Sequence, residues 1–178
     1  MMKLLLHTCC GPCTIYPLRA LREEGFMVQG FFFNPNIHPY REYLRRKDTL
    51  LQYAAAQDFP VDVSSEYPFQ EFLQTVAGQE DQRCAACYTI RLRKTAQHAK
   101  KHGYSGFTST LLVSPFQKHE LIKTIGEEVA SLEHISFLYR DFRPGYKSAV
   151  GRAKQLQLYR QPYCGCIYSE YDRFQDSH

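Results

Sequence analysis

The chain has 178 residues, 44% apolar and 22% charged, with seven cysteines and no tryptophan. That length suits one compact α/β domain over residues 1–178, and a net charge of +4 is too mild to argue by itself for a nucleic-acid partner. No apolar run nears the ~20 residues of a membrane span and the opening residues are too short for a secretory core. The expectation is a cytoplasmic protein whose thiols stay reduced and serve metal or redox chemistry.

In chain order, residues 3–8 read as a buried strand running into Cys9-Cys10-Gly11-Pro12-Cys13. A helix is expected from Thr14, with Ile15, Leu18 and Leu21 at helical spacing, Pro17 in its first turn and Gly25 as its stop. Residues 27–33 form a second strand closed by the turn signal Asn34-Pro35-Asn36. The βαβ unit so formed favours a parallel sheet. Residues 40–57 read as a helix with Tyr43, Leu44, Leu51 and Ala54 inward and the basic group Arg41, Arg45, Arg46, Lys47 outward. A third strand is expected over 59–63 and a short helix over 68–77. A longer helix over 80–101 carries Cys84, Cys87 and the basic group Arg91, Arg93, Lys94, Lys100, Lys101. Residues 106–110 form a strand, and Ser114-Pro115-Phe116-Gln117 opens a helix with a Ser cap, Pro at the first position and Gln closing a capping box. A strand over 135–139, a helix over 149–159 and a turn-rich segment over 161–167 complete the pattern. The fold class is α/β, one doubly wound, mostly parallel sheet. Ligands of such sheets sit at the carboxyl ends of the strands, where the Cys9 to Cys13 stretch lies, with Thr108-Ser109-Thr110 and Asp141-Phe142-Arg143 at the same edge.

The cysteines fall only in three knots: Cys9, Cys10 and Cys13; Cys84 and Cys87; Cys164 and Cys166. Cys84-x-x-Cys87 on a helix puts both sulfurs on one face, one turn apart. Gly165 lets the chain bend around an ion between Cys164 and Cys166. A single CxxC is a weak signal, but two of them with a CxC and a vicinal pair make a strong one. A structural zinc site uses four ligands and would leave three thiols over. Thiol–disulfide chemistry at Cys10 and Cys13 would leave the other pairs unexplained. The reading is therefore a [4Fe-4S] cluster with a second metal or a redox-active pair beside it. Asp81, just ahead of Cys84, and Tyr163, next to Cys164, are candidate proton donors, although acidic residues at a helix start are commonly dipole partners. His7 reads as a packed residue rather than a ligand. Each basic group taken alone reads as a solvated helix face.

These motifs together resemble the cobalamin-independent epoxyqueuosine reductases of the QueH type over nearly the whole length. The likeness is carried by Leu5-Leu6-His7-Thr8-Cys9-Cys10-Gly11-Pro12-Cys13, Phe33-Asn34-Pro35-Asn36-Ile37-His38-Pro39, Arg83-Cys84-x-x-Cys87-Tyr88-x-x-Arg91, Thr108 to Pro115, and Tyr163-Cys164-Gly165-Cys166. The resemblance implies removal of the epoxide oxygen of epoxyqueuosine at the tRNA wobble position, an iron–sulfur cofactor and an additional mononuclear iron. It also implies a HUP/PP-loop-like fold with the C-terminal cysteine segment closing the metal site. The phosphate loop of PP-loop proteins is replaced here by the first cysteine knot, which argues against ATP use. Reductive deoxygenation needs two electrons, a Lewis acid for the oxygen and protons, and an electron donor that no residue identifies. The substrate is a base in a single-stranded loop, held by stacking and phosphate contacts. Asn34, His38, Tyr40, Arg45, Arg46 and Arg91 are the candidate tRNA contacts. Two alternatives stand beside this: a cluster-dependent tRNA thiolation enzyme of the PP-loop type, and a zinc-stabilised RNA-binding module.

Overall fold

The structure, a computed structural model, describes residues 2–176. In β1 (Lys3–His7) the residues Leu4, Leu5, Leu6 and His7 are all buried. Consecutive burial requires cover on both faces, as in parallel sheets. The next element differs from the expectation. α1 (Gly11–Glu23) starts ahead of Thr14, so the first cysteine knot is a helix N-terminus and not a turn. Cys10 is the cap, its sulfur accepting the Cys13 N–H at 3.3 Å. Pro12 sits in the opening turn, where its missing N–H costs nothing. Pro17 lies inside the helix and leaves one intrahelical bond unmade.

β2 (Met27–Phe32) pairs in parallel with β1, from Lys3 against Met27 to His7 against Phe31. α2 (Tyr40–Ala56) leads to the short β3 (Val61–Val63). α3 (Phe69–Val76), a 3-10 turn (Glu80–Gln82) and α4 (Arg83–Lys101) follow. β4 (Gly106–Ser109) ends in a 3-10 turn (Thr110–Val113). Then come α5 (His119–Glu133), β5 (Ser136–Phe137), α6 (Tyr146–Gln155) and α7 (Ile167–Phe174).

The strand order is β3-β2-β1-β4-β5, and every pairing is parallel. The chain winds outward from β1 through β2 to β3, then crosses back to lay β4 on the other side of β1. That reversal opens a crevice at the carboxyl ends of β1 and β4. α1 packs with α2 and α6 in one layer, and α4 packs with α5 in another.

Three expectations are corrected. In α2 it is Leu50 that is fully buried, while Leu51 is 38% exposed. The same helix turns Arg46 inward to 1% exposure, against the reading of an outward basic face. α5 starts at His119, because Ser114 to Gln117 form a turn in which Ser114 Oγ accepts the Phe116 N–H and Gln117 reaches away toward α4. α7, which the sequence reading left without an element, starts at Ile167, right after Cys166, whose sulfur caps it by accepting the Ser169 N–H at 3.4 Å.

Candidate metal centre

The sulfur atoms of Cys9, Cys10 and Cys13 lie within 4.8 Å of one another, with Cys9 Sγ and Cys10 Sγ 3.9 Å apart. Their placement follows from the fold. β1 delivers Cys9 to the crevice, where its N–H donates to Thr110 Oγ1 at 3.1 Å and the Thr110 hydroxyl donates to its sulfur at 3.3 Å. The first turn of α1 brings Cys13 back under Cys10. From the far end of the chain, Gln161 Nε2 donates to Cys10 Sγ at 2.9 Å and approaches Cys13 Sγ at 3.5 Å. Hydrogen bonds from the Cys10 and Cys13 thiols hold the Cys9 thiol well below the ordinary thiol range, with Arg91 and Thr110 adding to the effect. Burial pushes the Cys10 thiol up, and Cys13 rises because it donates to its two neighbours.

The second and third knots pack together and share Arg91 with Cys9. Cys87 is buried in the first turns of α4, and burial pushes its thiol up to about 12. Cys166 packs beside it against Phe72 and Val76. Cys164 Sγ accepts from Gln117 Nε2 at 3.2 Å, and Gln117 Oε1 accepts the Tyr88 hydroxyl at 2.8 Å. Arg91, one turn beyond Cys87, joins the three: it donates to Cys87 Sγ at 3.6 Å and also feels the charges of Cys9 and Cys164.

The tail is held in place by α2 and by the turn after β2. Arg46 donates to the carbonyls of Cys164 at 2.7 Å and Tyr163 at 3.1 Å while pairing with Glu42 at 2.6 Å. His38 N–H donates to Gly165 O at 2.8 Å, and the Tyr163 hydroxyl donates to His38 O. Gly165 has φ +149, and a Cβ there would stand 3.1 Å from Asn36 Nδ2 and 3.2 Å from Arg46 Nη1. Only glycine fits this bend comfortably.

Several expected site residues play other parts. Asn34, Arg46 and Arg91 are each 1% exposed, so none offers a surface to RNA as the sequence reading had it. Asn34 takes Arg91 on its Oδ1 at 2.8 Å and donates to Thr8 O at 2.9 Å. Tyr40 and Arg45 are exposed, with Arg45 laid 3.6 Å over the Tyr159 ring. Asp81 is exposed in the 3-10 turn ahead of Cys84, with no hydrogen bond to another described residue. His7 is no ligand: its Nε2 donates to Phe33 O at 3.2 Å and its Nδ1 accepts from Ser109 Oγ at 2.9 Å. Gln117, Gln161 and Thr110 were not singled out from the sequence, since an amide or hydroxyl far from a cysteine in sequence carries no signal. Next to the tail an apolar groove of about 540 Å³ is lined by His38, Pro39, Tyr40, Tyr67, Phe69 and Ile167.

The donor set fits a thiolate-bound metal. A tetrahedral ion with bonds of about 2.3 Å spaces its sulfurs by roughly 3.8 Å, close to the Cys9–Cys10 separation of 3.9 Å. No histidine or carboxylate joins the trio among the described residues.

The family model for epoxyqueuosine reductase QueH matches residues 4–172. The chain belongs to that family. Among relatives named epoxyqueuosine reductase QueH, that of Dehalococcoides mccartyi is 41% identical over 172 residues, covering 97% of this chain and 94% of the relative. The Thermotoga maritima QueH is 33% identical over 184 residues, covering 97% and 93%. The Histophilus somni QueH is 34% identical over 176 residues, covering 94% and 72%. A solved structure described as a predicted subunit of tRNA methyltransferase from Methanocaldococcus jannaschii shares the fold. Its TM-score is 0.60 at 13% identity, covering 86% of this chain and 75% of that one.

Proposed function

We propose that this QueH chain deoxygenates epoxyqueuosine at the wobble position of tRNA to queuosine, using a [4Fe-4S] cluster and an additional iron held by Cys9, Cys10, Cys13, Cys84, Cys87, Cys164 and Cys166. The observation that supports the reading is the close group of Cys9, Cys10 and Cys13 at the switch point of the sheet, with Cys87 and Cys164 in electrostatic reach of the Arg91 that also feels Cys9, in a chain of this family. Opening the epoxide to the alkene takes two electrons and two protons and releases water. When bound, such an iron group supplies electrons singly and a Lewis acid for the oxygen.

The chain's own residues do the rest. Arg46 and the His38 backbone hold the Cys164–Cys166 bend in place. The groove along His38, Tyr40 and Phe69 offers aromatic faces on which an extruded base can stack. The exposed Arg41 and Arg45 supply phosphate contacts. Asp81, exposed ahead of Cys84, is the proposed proton donor, while Tyr163 gives its hydrogen to the His38 carbonyl. Loss of turnover with the cluster intact in Asp81→Asn supports this role, and full activity removes it.

The test of the function is anaerobic incubation of the loaded protein with epoxyqueuosine-containing tRNA and a low-potential reductant, followed by nucleoside mass spectrometry. Queuosine should appear with loss of one oxygen. Unchanged epoxyqueuosine with a fully loaded protein would overturn the reading.

A further inference from the structure

We infer that Arg91 is the buried counter-charge of the sulfur site, a positioning residue that holds the three thiol segments together, and not a contact for RNA. A guanidinium stays charged at any working pH, and a charge taken out of water needs a partner. Arg91 is 1% exposed, yet no carboxylate pairs with it among the described residues. Its Nη2 donates to the neutral Asn34 Oδ1, its Nη1 to Cys87 Sγ, and its Nε has no partner. Arg46, equally buried, shows the ordinary solution, with the Glu42 carboxylate at 2.6 Å and two carbonyls on its other nitrogens. The sulfurs within electrostatic reach of Arg91 are those of Cys87, Cys9 and Cys164, one from each knot. Asn34 aims the fork, because its own amide is fixed to Thr8 O at the end of β1. The arrangement demands a sulfur assembly with net negative charge, which thiolate ligation of a metal provides.

This inference rests on the reading that the thiols hold iron, and the test keeps the two apart. Wild type, Arg91→Gln and Arg91→Lys are purified anaerobically. Iron and sulfide are counted per chain, iron loss to a chelator is timed, the midpoint potential is measured, and tRNA affinity is followed against salt. Arg91→Gln should lose iron about 10- to 100-fold faster, the usual effect of removing a group that supports metal ligands. Its potential should move to more negative values, since an added electron is no longer balanced. Arg91→Lys, which keeps the charge and is the milder change to the fold, should fall between the two. Affinity for tRNA and its salt dependence should stay at wild type in both. A loaded wild type with variants unchanged in iron loss and potential would end the Arg91 assignment alone. So would variants with weaker tRNA binding and a shallower salt slope, the signature of a lost phosphate contact. A wild type without iron would end both readings.

Discussion

His7 shows how a single residue next to the thiols ties the site to pH. Burial, with the charge of Arg91 adding to it, pushes the imidazole down from 6.5 to about 3. The folded chain therefore keeps a neutral ring, while the unfolded chain binds a proton once the pH falls below about 6.5. The unfolded state then holds more protons, so this contribution is complete above pH 6.5 and is lost as the pH falls toward 3. The expected slope is about 1.4 kcal/mol per pH unit for one group. Urea melts between pH 7 and 5 should show it, and His7→Gln should flatten that limb. Equal slopes in the two proteins would contradict the assignment. Gly165 makes a second case at this scale. Gly165→Ala places a methyl against Asn36 and Arg46 at a φ of +149. It should unseat the tail and lower iron content per chain while leaving far-ultraviolet circular dichroism unchanged.

Among the elements, α5 and β5 meet where Gly126 lies against the Phe137 ring, and a Cβ there would be 2.3 Å from a ring carbon. Gly126→Ala should cost about 1–3 kcal/mol, the usual range for overpacking, read as a lower denaturant midpoint at constant slope. No loss of stability would mean that the helix and strand are not packed as described. The helices also show where the sequence was legible. β1 and β2 stand out because their apolar residues mark strands covered on both faces. α2 and α4 were legible from their helical periodicity. The misplaced starts share one cause: α1 and α7 are capped by cysteine sulfur, at Cys10 and Cys166, whereas a search for Ser, Thr, Asp or Asn finds neither. At α5 the reverse happened, since a good capping sequence at Ser114 was overridden when Gln117 was drawn to Tyr88 and Cys164. The short β3 and β5 and the inward turn of Arg46 were set by tertiary contacts that no local window contains.

The whole molecule assembles its candidate site from the two ends of the chain, with Gln161 and Cys10 separated by 151 positions and Arg46 and Cys164 by 118. The cysteine knots were visible in the sequence because thiols are rare and these are grouped. The amide and guanidinium groups that support them were not, because only the parallel winding brings them together. The exposed Arg41 and Arg45 are the surface proposed to meet RNA. Arg41→Glu with Arg45→Glu should weaken tRNA binding and make it less sensitive to salt, and unchanged affinity across a salt series would remove that surface from the account. The central claim is that the three thiol segments hold redox-active iron. The direct measurement is iron, acid-labile sulfide and zinc per chain after anaerobic purification. The account predicts about four sulfides and more than four irons per chain. A colourless protein that contains zinc, or no metal, and still converts epoxyqueuosine would contradict it.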